Sequence, residues 1–120
     1  MSYFPFFREI EGEKCLVIGG GKVAARKISR LKGFGVKIKV AAPSIVSDIE
    51  AMAQSCDNIS IERRTFTQED IENVDFVIAA AGEEVDQEAA RLCKEKAIPV
   101  NVVDNQELCD FIFPSIVQKG

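Results

Sequence analysis

Short apolar runs alternate along this chain with stretches in which apolar side chains recur every third or fourth residue. Most runs are continuous, which is typical of strands that are buried on both faces of a sheet. The predicted strands cover residues 14–18, 36–42, 59–63, 75–80, 99–103 and 111–113. The helical spacing predicts helices over 22–34, 45–54 and 83–96, with a capped helical turn over 67–72.

The order of these elements indicates the fold class. Because strands alternate with helices, the sequence predicts an α/β fold in which helices cover both faces of a doubly wound, mostly parallel sheet. We expect the strand order 3-2-1-4-5-6 and one domain over residues 1–120.

Several polar residues refine this prediction. Lys37 and Lys39 lie on the second strand, an internal one, so their stems are expected to follow the sheet while their ammonium groups reach water. Ser44 is expected to cap the second helix. Thr67, with Asp70 three residues later, predicts a capping box.

Composition excludes several functions. The chain has no histidine, which rules out a Ser-His-Asp triad, an imidazole base and His-ligated zinc, and no metal-binding cluster is visible. The net charge of −4 argues against a nucleic-acid partner. No apolar run is long enough for a membrane span. The cysteines form no CxxC pair, which favours reduced thiols and a cytoplasmic location; they are Cys15, Cys56, Cys93 and Cys109.

A glycine-rich segment joins the first strand to the first helix and fits the pattern G-x-G-x-x-A. It consists of Gly19, Gly20, Gly21, Lys22, Val23 and Ala24. In this context the pattern indicates a Rossmann-like NAD(P)-binding loop: the first glycine forms the turn, and Gly21 lets a pyrophosphate approach. Ala24 allows close packing of helix on strand, and the helix N-terminus attracts phosphate. The alternative is a tight turn that binds no ligand.

The usual acid that binds the adenosine ribose is missing. Counting 20 residues from Gly19 gives Lys39, and the second strand ends at Pro43 and Ser44 without an acid. Ser44 or backbone groups could replace it. Lys39 would favour a 2′-phosphate, but it lies within the strand, so NAD is favoured over NADP.

The sequence resembles the siroheme synthase N-terminal domain family, the precorrin-2 dehydrogenase / sirohydrochlorin ferrochelatase family. Nearly the whole chain is covered, and the motifs follow the family's order and spacing. The matching segments are Tyr3-Phe4-Pro5-Phe6-Phe7, residues 15–21, Ala24-Ala25-Arg26-Lys27, Asn101-Val102-Val103-Asp104 and Phe111-Ile112-Phe113-Pro114-Ser115.

The resemblance implies an NAD-dependent dehydrogenase that oxidises precorrin-2, a tetrapyrrole, to sirohydrochlorin; some members also insert Fe²⁺. Asp104 matches the family's catalytic aspartate, and a carboxylate suits the role of base in a chain without histidine. On position alone, Asp104 could equally begin a turn. The resemblance also places residues near the cofactor: Lys22 and Val23 at the pyrophosphate, Pro43 and Ser44 at the adenosine, and Ala80 and Ala81 after the fourth strand.

Two departures from the family leave alternatives open. Ala80-Ala81-Gly82 stands where the family usually has Ala-Thr-Asp or Ala-Thr-Asn, and either Glu83 or Glu84 compensates or both are solvated acids that begin a helix. The dimerisation and substrate-binding segments that follow Phe-Pro-Ser in the family are absent from this sequence, and we expect a homodimer for the full-length form. A non-catalytic NAD(P)-sensing regulatory domain is the second hypothesis, and a relative that binds nothing is the third.

Overall fold

A computed structural model of the chain describes residues 9–103. Five parallel strands form one sheet in the order β3-β2-β1-β4-β5. This order confirms the predicted doubly wound α/β fold, and the predicted sixth strand, 111–113, lies outside the described residues. The strands are β1 (Lys14–Ile18), β2 (Lys37–Ala41), β3 (Ile59–Glu62), β4 (Phe76–Ala79) and β5 (Val100–Val102), and the helices are α1 (Lys22–Leu31), α2 (Ser47–Ser55), α3 (Gln68–Glu72) and α4 (Glu83–Glu95).

The central strand β1 contributes to the core on both sides of the sheet. Cys15 and Val17 pack in a cluster with side chains of α1 and α2. Leu16 and Ile18 pack in a second cluster with side chains of α3 and α4. Because both faces are covered, β1 is apolar at four successive positions, which explains why a continuous run marked this strand in the sequence.

The first helix ends earlier than predicted. α1 stops at Leu31, and a turn of 3₁₀ helix over Lys32–Phe34 leads to Gly35, whose φ of 73° is left-handed. A glycine takes this conformation without strain, so Gly35 ends the helical segment.

Among residues 9–103, no helix is long and apolar enough to cross a bilayer.

The two lysines of β2 line an open cleft of about 540 Å³ beside the short helix α3. The residues that line it include Lys37, Lys39, Ser60 and Asp70. The Lys39 side chain is 40% exposed, and its ammonium lies 3.4 Å from a carboxylate oxygen of Asp70. Lys37 is exposed as well. The prediction that these two lysines reach water from an internal strand is therefore confirmed.

The start of the second helix differs from the prediction. Val46, not Ser44, is the N-cap of α2, and no side chain caps this helix. The prediction was wrong because residues 44–46 pack against the glycine loop before the helix begins, and the Val46 N–H donates to Gly20 O at 2.8 Å. The predicted capping box of α3 is confirmed: the Thr67 hydroxyl accepts from the Asp70 N–H, and the Asp70 carboxylate accepts from the Thr67 N–H.

Candidate functional site

The turn after β1 depends on Gly19. Its φ of 129° is a conformation that other residues rarely adopt. A β-carbon at Gly19 would also lie 2.4 Å from the carbonyl oxygen of Ala80, in the loop after β4. Five residues after Gly19, the fully buried Ala24 brings α1 close to the sheet. Both residues thus have the packing roles that the G-x-G-x-x-A pattern predicts.

Gly20 connects the same turn to the loop after β2. A β-carbon here would lie 2.1 Å from Ser44 O and 3.0 Å from the Ile45 α-carbon. The Gly20 carbonyl in turn accepts the Val46 N–H. The motif leaves this position free, so the sequence assigned Gly20 to the cofactor without predicting that contact between backbones requires a glycine there.

Gly21 faces open space. A β-carbon built on it meets no atom within 4 Å, and its φ of −94° suits any residue. It is the N-cap of α1, and its carbonyl accepts the Ala25 N–H at 3.0 Å. The N–H groups of Lys22, Val23 and Ala24 precede that bond and have no acceptor within the helix. The backbone is therefore open to a close-lying ligand where Gly21 meets α1.

The charges near the helix N-termini distinguish α1 from its neighbours. Among the helices of residues 9–103, α2, α3 and α4 each carry acids in the first turn, whereas α1 carries none. Lys22 and Val23, which begin α1, are exposed. The first turn of α1 thus places no carboxylate of its own at the positive end of the helix dipole, which can bind a phosphate.

The loop after β4 is held by an acid that sequence reasoning missed. The Asp86 carboxylate accepts hydrogen bonds from the N–H groups of Ala81 (2.9 Å) and Gly82 (3.3 Å). Asp86 is 3% exposed, and this burial raises the pKa of its carboxyl, while the two N–H bonds partly oppose the rise. Glu83 and Glu84 are exposed acids of the first turn. The position of Asp86, four residues after Gly82 on a predicted helix, is the signal that could have identified it.

The end of β2 carries the predicted adenosine-side residues. Pro43 and Ser44 are exposed there, one residue after the buried Ala42. Lys39 lies within β2 and is paired with Asp70 of α3, so its ammonium is engaged away from this end of the strand. Asp104 lies outside the described residues, whose last member, Val103, donates its N–H to Ala79 O at 3.0 Å.

The described residues fit a bound dinucleotide. The loops after β1, β2 and β4 meet at the carboxyl ends of neighbouring parallel strands, which is where doubly wound sheets bind ligands. Gly21 leaves room for a pyrophosphate, and α1 supplies N–H donors without an opposing acid. No cluster of three or more metal-ligating side chains occurs between residues 9 and 103. The fold and this site define a doubly wound dinucleotide-binding domain.

The chain belongs to the family described as "Putative NAD(P)-binding", whose model matches residues 6–115. Among curated proteins it is similar to the siroheme synthase of Nitrosomonas eutropha, with 41% identity over 121 residues, which cover 100% of this chain and 25% of the relative. The siroheme synthase of Thioalkalivibrio sulfidiphilus is 38% identical, with 100% and 24% covered. The chain spans about a quarter of the length of these relatives.

Solved structures agree on the fold. The precorrin-2 dehydrogenase SirC superposes with a TM-score of 0.79 at 23% identity, over 98% of this chain and 58% of that one. The glycosyltransferase GlyE of Streptococcus pneumoniae TIGR4 superposes with a TM-score of 0.62 at 14% identity, over 85% and 27%. The similarity to siroheme synthases over the whole of this chain confirms the family resemblance that the motifs indicate.

Proposed function

We propose that this chain is the NAD⁺-binding part of a dehydrogenase that oxidises precorrin-2 to sirohydrochlorin. The observation that carries the proposal is the open backbone at Gly21, beside the acid-free N-terminus of α1. The similarity to proteins named siroheme synthase and precorrin-2 dehydrogenase supports the choice of reaction.

Different residues at this edge of the sheet bind different parts of the cofactor. The N–H groups of Lys22, Val23 and Ala24 bind the pyrophosphate, which approaches over Gly21. Pro43 and Ser44 lie on the adenosine side, and Ala80 and Ala81 lie across the glycine loop from them. When bound, NAD⁺ accepts a hydride from the substrate. The close packing of Gly19 on Ala80 keeps the two sides at a fixed separation.

Asp104 is the proposed base. Loss of a hydride from the tetrapyrrole is accompanied by loss of a proton, and a carboxylate is the obvious acceptor in a chain that lacks histidine. The residue follows Val103, which is hydrogen bonded to Ala79 at the end of β4. The match of Asp104 to the catalytic aspartate of the family that the sequence resembles supports this assignment.

The partners and location follow from this reaction. The substrate is a tetrapyrrole, and the longer form of the protein is a homodimer. Cys15 and Cys93 are buried and Cys56 is half-buried. The cysteines form no CxxC pair in the sequence, which supports a reducing cytoplasmic environment.

Calorimetric titration with NAD⁺ tests the binding step, and absorbance of NADH at saturating precorrin-2 tests turnover. We expect NAD⁺ to bind and precorrin-2 to be oxidised, with turnover reduced at least about a hundredfold in Asp104→Asn because a positioned base contributes that much. Asp57→Asn is the matched control and should retain turnover, because Asp57 is an exposed acid in the turn between α2 and β3. Binding of NAD⁺ without oxidation would overturn the dehydrogenase proposal in favour of a sensing domain. Normal turnover by Asp104→Asn would overturn the assignment of the base.

A further inference from the structure

The β2 end of the site lacks the carboxylate that usually selects NAD over NADP. In dinucleotide-binding folds that acid binds the ribose 2′-hydroxyl and repels a 2′-phosphate. Here the strand runs through Ala41 and Ala42 into the exposed Pro43 and Ser44. A preference for one cofactor must therefore come from neighbouring residues.

Arg63 is the cation beside this end of β2. It follows Glu62, the last residue of β3, whose carbonyl accepts the Ala42 N–H at 3.1 Å. The Arg63 side chain is 57% exposed. The next residue, Arg64, is bound at 2.8 and 3.0 Å by the Asp70 carboxylate of α3. Because a guanidinium pairs well with phosphate oxygens, Arg63 is suited to a 2′-phosphate.

Glu50 holds Arg63. The Glu50 carboxylate accepts a hydrogen bond from the Arg63 guanidinium, in an ion pair that links α2 to the end of β3. Glu50 lies one helical turn after Val46, to which it is hydrogen bonded and which itself contacts Gly20 of the glycine loop. The pair is thus connected through Val46 to the phosphate-binding turn, on the side of Pro43 and Ser44.

We propose that the Glu50–Arg63 ion pair determines cofactor preference in place of the missing acid. Glu50 occupies the guanidinium and places a negative charge where a 2′-phosphate would come close. NADP⁺ must compete with this carboxylate for Arg63, whereas NAD⁺ has no such group and binds without disturbing the pair. The inference rests on the proposed binding of NAD⁺ and adds to it the residues that select NAD⁺.

Calorimetric dissociation constants of NAD⁺ and NADP⁺ test this selection in the wild type, Glu50→Gln and Asp48→Asn. Asp48 is an exposed acid in the first turn of the same helix, so its substitution removes the same charge and leaves the pair intact. In Glu50→Gln we expect NADP⁺ to bind at least about fivefold more tightly and NAD⁺ to change less than about twofold, the size of one exposed charge interaction. In Asp48→Asn the ratio of the two constants should stay as in the wild type.

The double variant Glu50→Gln/Arg63→Gln should lose the gain for NADP⁺. Arg63→Gln alone should weaken NADP⁺ at least about threefold and leave NAD⁺ unchanged, since it removes the cation and leaves the carboxylate. Equal gains in Glu50→Gln and Asp48→Asn, or a gain that persists in the double variant, would overturn the inference while NAD⁺ binding stands. If neither cofactor binds the wild type, the proposed function fails and this inference fails with it.

Discussion

The carbonyl oxygen of Ser44 lies 2.1 Å from the point that a β-carbon on Gly20 would occupy. A change of side-chain rotamer cannot relieve this contact, because the Ser44 oxygen belongs to the main chain and a β-carbon is fixed to the main chain of residue 20. At the next residue, Gly21, no atom lies within 4 Å of the position that a β-carbon would occupy. Two adjacent glycines thus have different roles, one in folding and one in leaving space for a ligand.

Substitution of these glycines should separate stability from binding. Gly20→Ala should lower the free energy of unfolding by about 2 kcal/mol, the usual effect of overpacking. Gly21→Ala should lower the free energy of unfolding by less than about 1 kcal/mol. It should weaken the binding of NAD⁺ at least about tenfold, because the added methyl group would occupy the space of the pyrophosphate. Urea denaturation and calorimetric titration measure the two effects. Unchanged NAD⁺ affinity in Gly21→Ala would contradict the proposed close approach.

Loss of Asp86 should loosen the loop after β4. Asp86→Ala removes the acceptor of the part-buried hydrogen bond from the Ala81 N–H, so we expect a loss of about 1 kcal/mol in stability and weaker NAD⁺ binding. Asp86→Asn keeps an oxygen acceptor and should retain most of both. Glu84→Gln, an exposed acid of the same first turn, is the control and should match the wild type.

The Asp86 carboxyl should also affect how stability depends on pH. Its pKa is raised in the folded state, so the folded protein holds this proton where the unfolded chain has lost it. The wild type therefore loses stability as pH rises from about 4 through the raised pKa. The stability of Asp86→Asn relative to that of the wild type should therefore rise across that range in thermal unfolding experiments, and a difference that stays constant with pH would refute this role of the buried carboxyl.

Asp70 should have the opposite effect in acid. The guanidinium of Arg64 and the Thr67 N–H hold the pKa of this carboxyl well below its usual range. A lowered pKa contributes stability that is present above about pH 4 and is lost as pH falls towards the folded-state value. Asp70→Asn should be less stable at neutral pH by about 2 kcal/mol, with a smaller further loss in acid. Glu69→Gln, the exposed neighbour, should keep the wild-type acid profile.

Thiol reactivity should follow burial. Cys15 is fully buried, and this burial raises the pKa of its thiol, so little reactive thiolate forms at neutral pH. Cys56 is half-buried at the end of α2. Maleimide labelling of the native protein, followed by peptide mass spectrometry, should modify Cys56 well before Cys15 or Cys93. Equal labelling of Cys15 would show that the central strand opens on that timescale.

The strands could be predicted because their chemistry is local. The apolar run of β1 matches its predicted bounds, and the glycine pattern after it predicted the turn at Gly19 and the close packing at Ala24. The contacts that hold the loops could not be predicted, because they join segments distant in sequence. Gly20 meets Ser44, and Arg63 meets Glu50, only once the parallel order of the strands is known.

Gly19 packs against the main chain of Ala80, and Gly20 packs against the main chain of Ser44. The proposed phosphate-binding turn of this domain is therefore built almost entirely from main-chain atoms. Substitutions at other positions can hardly change this turn without unfolding the domain. The proposed selection of the cofactor depends instead on the side chains of Glu50 and Arg63, which single mutations can replace. Descendants of this sequence could therefore exchange one nucleotide for another over evolutionary time without ever losing the capacity to bind one.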